Sequence, residues 1–454
     1  MNIAQLDRRL GGAALAILVT GVLLQFFLWS RAWVDNDQIV LLRRGLEFAE
    51  GGGLVPYGKY MSGGGKIPGA LLQLLVGMSL WIWPDYRAPG LLVGVSHLVA
   101  VSVLGVILAK ALGMRSTVFF LAIYWLSPWR LYHAGFLWEP GFVFLPAAVH
   151  LACSYRLRER RRFLASAVLA ATIALTMQIH ASFLILLVST AILLWKRVVR
   201  LDLRGAVAGL VVGSLTLIPT AQACLRGELP RLAPARWDYL PPVVLEISNL
   251  FKGLLYWFRL GSLDIGRRIR DVAGVAETNL SESAAASLIA LGVSVLAALA
   301  LASLVISLTA SWQYFRGSGT AEETDNREWH WMRVYALSFL LSVLIASVLA
   351  PVPVQGWHFV IALHAACLPV AFWLQKNLVG PRQWLRTVAA SFIVLEIVIT
   401  LAIGLGNPRY AQPSDSQRVQ EEIPAELRRL FRSQLPGAAE SLGEQVGPPS
   451  HTRP

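Results

Sequence analysis

Long apolar runs alternate along this chain with short polar breaks, and the breaks carry most of its charge. "GGAALAILVTGVLLQFFLWS" (11–30) and "TVAASFIVLEIVITLAIGLG" (387–406) are each long enough to cross the hydrocarbon core of a bilayer as a helix. Similar, mostly shorter runs recur between them. Tryptophans edge several runs (Trp29, Trp33, Trp81, Trp83, Trp125, Trp129), where an amphipathic ring favours the membrane interface. The pattern predicts an all-α, polytopic membrane protein.

Basic clusters orient it. Arg8–Arg9, Lys110–Arg115, "RLRERRR" (156–162), "KRVVRLDLR" (196–204) and "KNLVGPRQWLR" (376–386) read as cytoplasmic ends, so an even number of crossings must separate successive clusters. Between 11 and 109 lie three apolar segments, 11–30, 68–83 and 89–109. The weakest, "PGALLQLLVGMSLWIW" (68–83), opens on Pro-Gly and is roughly 24 Å long as a helix. It is therefore predicted to be re-entrant or interfacial on the outer side. The crossings that follow are 117–127, 141–155, 163–178, 182–195, 205–225, 284–310, 333–351, 359–375 and 387–406. About eleven spans result, with the N-terminus inside and the C-terminus outside, in the cytoplasmic membrane. "MNIAQLDRRL" before the first run has no small-residue cleavage site after it, so that run is read as a retained span.

Composition agrees: 56% of the 454 residues are hydrophobic and 15% charged. The formal charge of +13 belongs to the short loops and reads as topology rather than nucleic-acid binding. Cys153, Cys224 and Cys367 lie in or beside separate spans and imply neither a disulfide framework nor a metal site. The loop 226–283 is basic although it falls outside, and its segment 243–262 reads as a surface helix meeting lipid phosphates. After 406 the tail is rich in Pro, Gln, Ser and Glu and is expected to be flexible, apart from a short helix at 424–435.

Chemistry must then be assembled from the outer loops. In 31–88, Asp35 and Asp37 follow the first span, where a pocket would raise a carboxylate toward useful basicity; a solvated pair capping a helix is the bland alternative. "MSGGGKIPGA" is not a nucleotide-binding loop, since Ile67 and Pro68 follow the lysine. Gly64 and Gly65 still allow close approach of an anion to the backbone and Lys66 adds charge; a snorkelling lysine in a loose loop is the alternative. Glu139 lies in the second outer loop with Arg130 and His133. Gln178 and His180 sit at the apex of the hairpin 163–195, and His358 follows "VQGW" at the outer surface. His97, His150 and His364 read as packing residues inside or at the ends of spans. No tight metal spacing exists, so a divalent metal would need ligands distant in sequence, with Glu139 and His180 as candidates.

The order of these features resembles the GT-C superfamily of integral-membrane glycosyltransferases, in particular protein O-mannosyltransferases and aminoarabinose transferases. "DQIVLLRRGLEFAEGG" resembles their acidic first-loop motif, with Asp37–Gln38 in place of the acidic pair and Asp35 two residues earlier. "LVPYGKYMSGGGKIPGALLQLL" resembles the segment in which a basic residue precedes Pro-Pro-Leu, which places Lys66 and Pro68. "LSPWRLYHAGFLWEP" resembles the second outer loop, with Glu139 where relatives carry Asp or Asn. His358 falls where relatives carry Arg or Tyr. The resemblance covers 1–225 as a catalytic membrane core, followed by the loop 226–283, the C-terminal membrane helices 284–406 and the tail 407–454.

It implies an inverting hexosyl- or pentosyltransferase that takes its sugar from a polyprenyl-phosphate donor at the outer membrane face. The acceptor would be a glycan, lipid or protein. Asp37 would be the base. Lys66, with an arginine such as Arg130, would hold the phosphate, and Glu139 and His180 would orient the acceptor or bind a metal. The alternatives are a transporter or flippase for a lipid-linked sugar, which needs no carboxylate base, and a membrane scaffold.

Overall fold

The computed structural model describes residues 3–32, 34, 36–60, 65–228, 242–262, 281–317, 327–378, 383–406 and 423–434. The described chain is helical apart from one small ribbon, and it is a multi-pass membrane protein by the length and apolarity of its helices. Among the described residues five helices can each cross a bilayer: Leu10–Ser30, Ala88–Trp125, Leu203–Leu225, Ala290–Arg316 and Arg327–Val348. Pro128–Ala134 and Glu139–Leu157 qualify together, with a bend of 116° between them.

The helix α1 (Ile3–Ser30) leads into α2 (Asn36–Ala49), an antiparallel ribbon of β1 (Tyr57–Tyr60) and β2 (Lys66–Pro68), and α3 (Leu71–Ile82). Helix α3 is shorter than the expected 68–83, roughly 18 Å, which is too little to span hydrocarbon. It packs on α2, whose buried face repeats at helical spacing through Gln38, Leu41, Leu42, Gly45 and Leu46. The two helices meet where Gly45 faces Val76 and Gly77 faces Phe48, a crossing that a Cβ on either glycine would prop apart.

Next comes α4 (Ala88–Trp125), which is continuous but for Gly113 at φ 81°, ψ 166°. That residue reverses the chain. Gln25 of α1 donates to the Gly94 carbonyl at 2.9 Å, and the Trp125 indole donates to the Leu18 carbonyl at 3.0 Å. Residues 94 and 125 would lie roughly 46 Å apart on a straight helix, whereas 18 and 25 are roughly 10 Å apart on α1. The two arms therefore fold back toward each other at Gly113.

Further along are α5 (Pro128–Ala134), a 3-10 turn at Glu139–Val143, α6 (Phe144–Leu157), α7 (Phe163–Met177), α8 (Phe183–Trp195), α9 (Leu203–Ser214) and α10 (Ile218–Leu225). Helices α7 and α9 run parallel in close contact, because Gly205, Gly209 and Gly213 lie against Phe163, Ala167 and Ala171 in turn. After α11 (Pro242–Leu260) come α12 (Glu282–Arg316), α13 (Arg327–Val348), α14 (Leu363–Leu378) and α15 (Gln383–Gly406).

Histidines hold this core together. His150 bonds Tyr335 Oη at 3.0 Å and Thr190 Oγ1 at 2.9 Å, and Tyr335 also meets His364 Nε2 at 3.0 Å. His97 Nε2 meets the Gly141 carbonyl at 2.7 Å. All three are the packing residues expected. One end of the bundle gathers basic loops, with Arg158 on Glu328 at 2.7 Å and the Arg200 amide on the Leu157 carbonyl at 2.9 Å.

Two outer segments are held against the body. The segment expected to lie on the surface, 243–262, is fastened to the body. Asn249 of α11 caps the turn after α13, donating to the Val352 carbonyl at 2.9 Å and accepting from the Val354 amide at 2.9 Å, while Trp257 and Leu260 are buried. Its opposite face, with Val243, Ile247, Phe251 and Leu254, is exposed and apolar. The short helix expected at 424–435 is present as a 3-10 helix, and it docks. Residues Ala425–Gln434 bury Leu427, Leu430 and Phe431 against α2 and Tyr86, with the Tyr86 and Phe431 rings stacked at 4.4 Å and Arg43 paired with Glu426 at 2.8 Å. The basic stretch 266–270 and the rest of the tail lie outside the described residues.

Candidate functional site

At the end opposite the basic loops, three charged side chains from three segments meet. Asp37 stands in the first turn of α2, Lys59 in β1, and Glu139 at the start of the turn before α6. The Lys59 ammonium lies 2.6 Å from Asp37 Oδ1 and 3.5 Å from a Glu139 carboxylate oxygen. Asp37 is 44% exposed, whereas Glu139 is 5% exposed. Burial holds the Glu139 carboxyl above the usual range, Lys59 draws it back, and the Asp37 charge adds to the rise.

The ribbon that carries Lys59 is pinned from several sides. Arg44 donates to the Tyr57 carbonyl at 2.5 Å, and the Gly69 amide donates to the Pro56 carbonyl at 3.1 Å and to Thr220 Oγ1 at 2.9 Å. Ala70 N donates to the Thr216 carbonyl at 3.1 Å. Gly69 has φ 90°, and a Cβ there would strike the Gln178 amide.

Two histidines stand beside the centre. His180 follows α7 and His358 ends the short turn Gly356–His358, with ring centroids 5.8 Å apart. The Ser182 amide donates to His180 Nδ1 at 3.2 Å, and the Gln355 amide donates to His358 Nδ1 at 2.8 Å. Each Nδ1 is thus an acceptor, so each neutral ring carries its proton on Nε2 and offers a donor there. Burial, then His358, then Lys59 lower the His180 pKa to about 3, and burial lowers that of His358 to about 4. An apolar cavity of about 240 Å³ opens next to them, lined by Leu184, Ile185, Leu349, Val352, Val354 and His358 among others.

The residues expected from the sequence divide. Asp37, Glu139, His180 and His358 come to this end of the fold. Lys66 stacks over the Tyr60 ring at 4.6 Å. Tyr60 is the residue that Lys66 pairs with across the ribbon, so Lys66 is engaged there and not in the ion pair that Lys59 makes. It makes no ion pair among the described residues. Arg130 is removed from any surface role: it is fully buried, lies 3.6 Å over Trp125, and donates to the Trp125 carbonyl at 2.6 Å and Gln25 at 2.5 Å. His133 is likewise buried, stacked on Trp138 at 5.5 Å with Nδ1 2.7 Å from the Trp129 carbonyl. Gln178 is structural, donating to the Gly213 carbonyl at 2.8 Å and accepting from Thr216 at 2.6 Å. Gly65 adjoins β2, and Asp35 and Gly64 lie outside the described residues.

Lys59 was not among the expected residues. Its signal was "YGKYMSGGGKIP", two short alternating stretches about a glycine-rich turn, which is the pattern of a β-hairpin.

A divalent metal does not fit these residues. The two carboxylates share an ammonium, and each histidine would have to give up its Nε2 proton to become a ligand. No group of three or more His, Cys, Asp or Glu side chains suited to a metal occurs among the described residues.

The fold and site define a helical membrane protein with a charged centre at one end of its bundle. No protein-family model matches the chain, and no curated protein matches it. Among solved structures it is similar to the apo crystal structure of the Archaeoglobus fulgidus oligosaccharyltransferase, with TM-score 0.42 and 12% identity over 93% of this chain. The chain spans 60% of that protein's length. An overlap this loose fixes neither a shared fold nor a shared activity.

Proposed function

We propose that the chain is a membrane glycosyltransferase of the GT-C type, moving a sugar from a polyprenyl-phosphate donor to an acceptor hydroxyl at the outer membrane face. The observation that supports this most is the Asp37–Lys59–Glu139 centre, a half-exposed carboxylate beside a pinned ammonium. Asp37 takes the proton of the acceptor hydroxyl as its oxygen attacks the anomeric carbon. The bond from that carbon to the phosphate oxygen breaks, and the electron pair leaves with the lipid phosphate. One displacement inverts the anomeric centre. The Nε2–H groups of His180 and His358 and the ammonium of Lys59 favour the charge that develops on the leaving phosphate. Lys66, on the second strand of the same ribbon, meets the headgroup, and the apolar cavity beside His358 takes the first prenyl units. A flippase would need no exposed carboxylate beside a fixed cation.

The test is transfer from a radiolabelled polyprenyl-phosphate sugar in membranes that carry wild type or Asp37→Asn. Loss of a general base lowers transfer by roughly 100-fold or more, with donor binding retained. Transfer at the wild-type rate in Asp37→Asn refutes the role of Asp37 as base, whereas wild-type membranes that transfer no more sugar than membranes lacking the protein refute the transferase reading.

A further inference from the structure

Glu139 takes no part in the displacement, yet it is held in the centre. A carboxylate that is 5% exposed and a second one from another segment are both aimed at one nitrogen. Two such carboxylates, brought together from distant parts of a chain, are the usual frame for a divalent cation that binds oxygen ligands. Here the position between them is filled by the chain itself.

We propose that Lys59 is the resident cation of the site, holding Asp37 and Glu139 in register in the place a divalent ion would otherwise take, so that the centre binds its anionic ligand without a metal. The inference rests on the transferase reading only for the identity of that ligand.

Three observations carry it. First, the ammonium lies 2.6 Å from Asp37 and 3.5 Å from Glu139, and among the described residues it meets no third acceptor. An ammonium has three N–H groups, so one is left to point at a ligand. Second, the lysine does not reach in from a loose loop. Its strand is pinned by Arg44, by the Gly69 amide on Pro56 and Thr220, and by pairing to β2, so the charge returns to one place. Third, the histidines beside it present Nε2–H donors, which complement an anion and oppose a second cation. With Lys59 present, a metal would have to displace a tethered positive charge. With Lys59 removed, the vacated position faces two carboxylate oxygens, and small side-chain rotations bring both to the distance of about 2.1 Å that a small divalent ion prefers.

The test is Mn²⁺ binding, followed by electron paramagnetic resonance on the purified full chain in lipid nanodiscs. Four forms are compared: wild type, Glu139→Gln, Lys59→Ala and the double variant Lys59→Ala/Glu139→Gln. Wild type and Glu139→Gln are expected to bind Mn²⁺ equally weakly. Lys59→Ala is expected to gain affinity by roughly tenfold or more, equivalent to about 1.4 kcal/mol, and the double variant to lose that gain. Lys59→Met, which keeps the apolar stem, repeats the measurement where Lys59→Ala does not fold. Mn²⁺ binding by wild type that Glu139→Gln abolishes overturns the proposal, as does a Lys59 variant that folds and gains nothing. No sugar enters the readout, so this result stands or falls separately from the transferase reading.

Discussion

Gly69→Ala isolates what the ribbon contributes to the site. Gly69 sits at φ 90°, where an L residue costs about 1–2 kcal/mol, and its Cβ would meet the side chains of Gln178 and Leu217. Gln178 cannot swing away freely, because its amide bonds both Gly213 and Thr216 inside the protein. Relieving the clash therefore either strains packed side chains or leaves a buried amide unpaired, a further cost of about 1–3 kcal/mol. Gly51 supplies the control, with φ 89° and open space where its Cβ would be. Gly51→Ala should cost about 1–2 kcal/mol and Gly69→Ala about 2–5 kcal/mol. Denaturant titration of each purified variant in detergent, alongside wild type, measures the difference. The Gly69 amide also anchors the strand that carries Lys59, so Gly69→Ala should lower sugar transfer while Gly51→Ala does not. Equal destabilisation by the two variants would refute the argument that Gln178 and Gly69 lock the ribbon.

His180 and His358 are held neutral, with pKa values of about 3 and about 4, so the folded state gains stability from them above the ordinary histidine value near 6.5. That stability is lost as pH falls from about 6.5 through those lowered values, and replacing both with Gln should flatten the acid side of a plot of melting temperature against pH; an unchanged acid limb counts against this reading. Phe431→Ala removes a fully buried ring stacked on Tyr86, at a cost of up to about 3–5 kcal/mol. The loss should appear as release of the docked segment 425–434, seen as faster amide exchange there, with the melting of the helical core little changed.

The helices were legible in the sequence for a local reason: apolar length and the sign of the loops are properties of contiguous residues. The parity argument set 68–83 apart because three crossings cannot join two ends on one side, and the structure places there a helix too short to span, laid on α2. The side chains that make the site were less legible because their positions depend on contacts between distant segments. Three glycines drew attention to Lys66, yet in the folded ribbon Lys66 pairs with Tyr60 and the ion pair to Asp37 falls to Lys59. Gln178 and Arg130 stand at an apex and in an outer loop, positions that suit a ligand, but Gly213 and Thr216 in one case and Trp125 and Gln25 in the other draw them inward. Asp37 and Glu139 escaped that fate because a charge on a strand between them satisfies both. Here the counter-charge of both carboxylates sits on a strand pinned by hydrogen bonds. A mobile counter-ion would leave Glu139 to protonate in its buried position, whereas the ribbon keeps the ammonium against it and leaves Asp37 open on its exposed side.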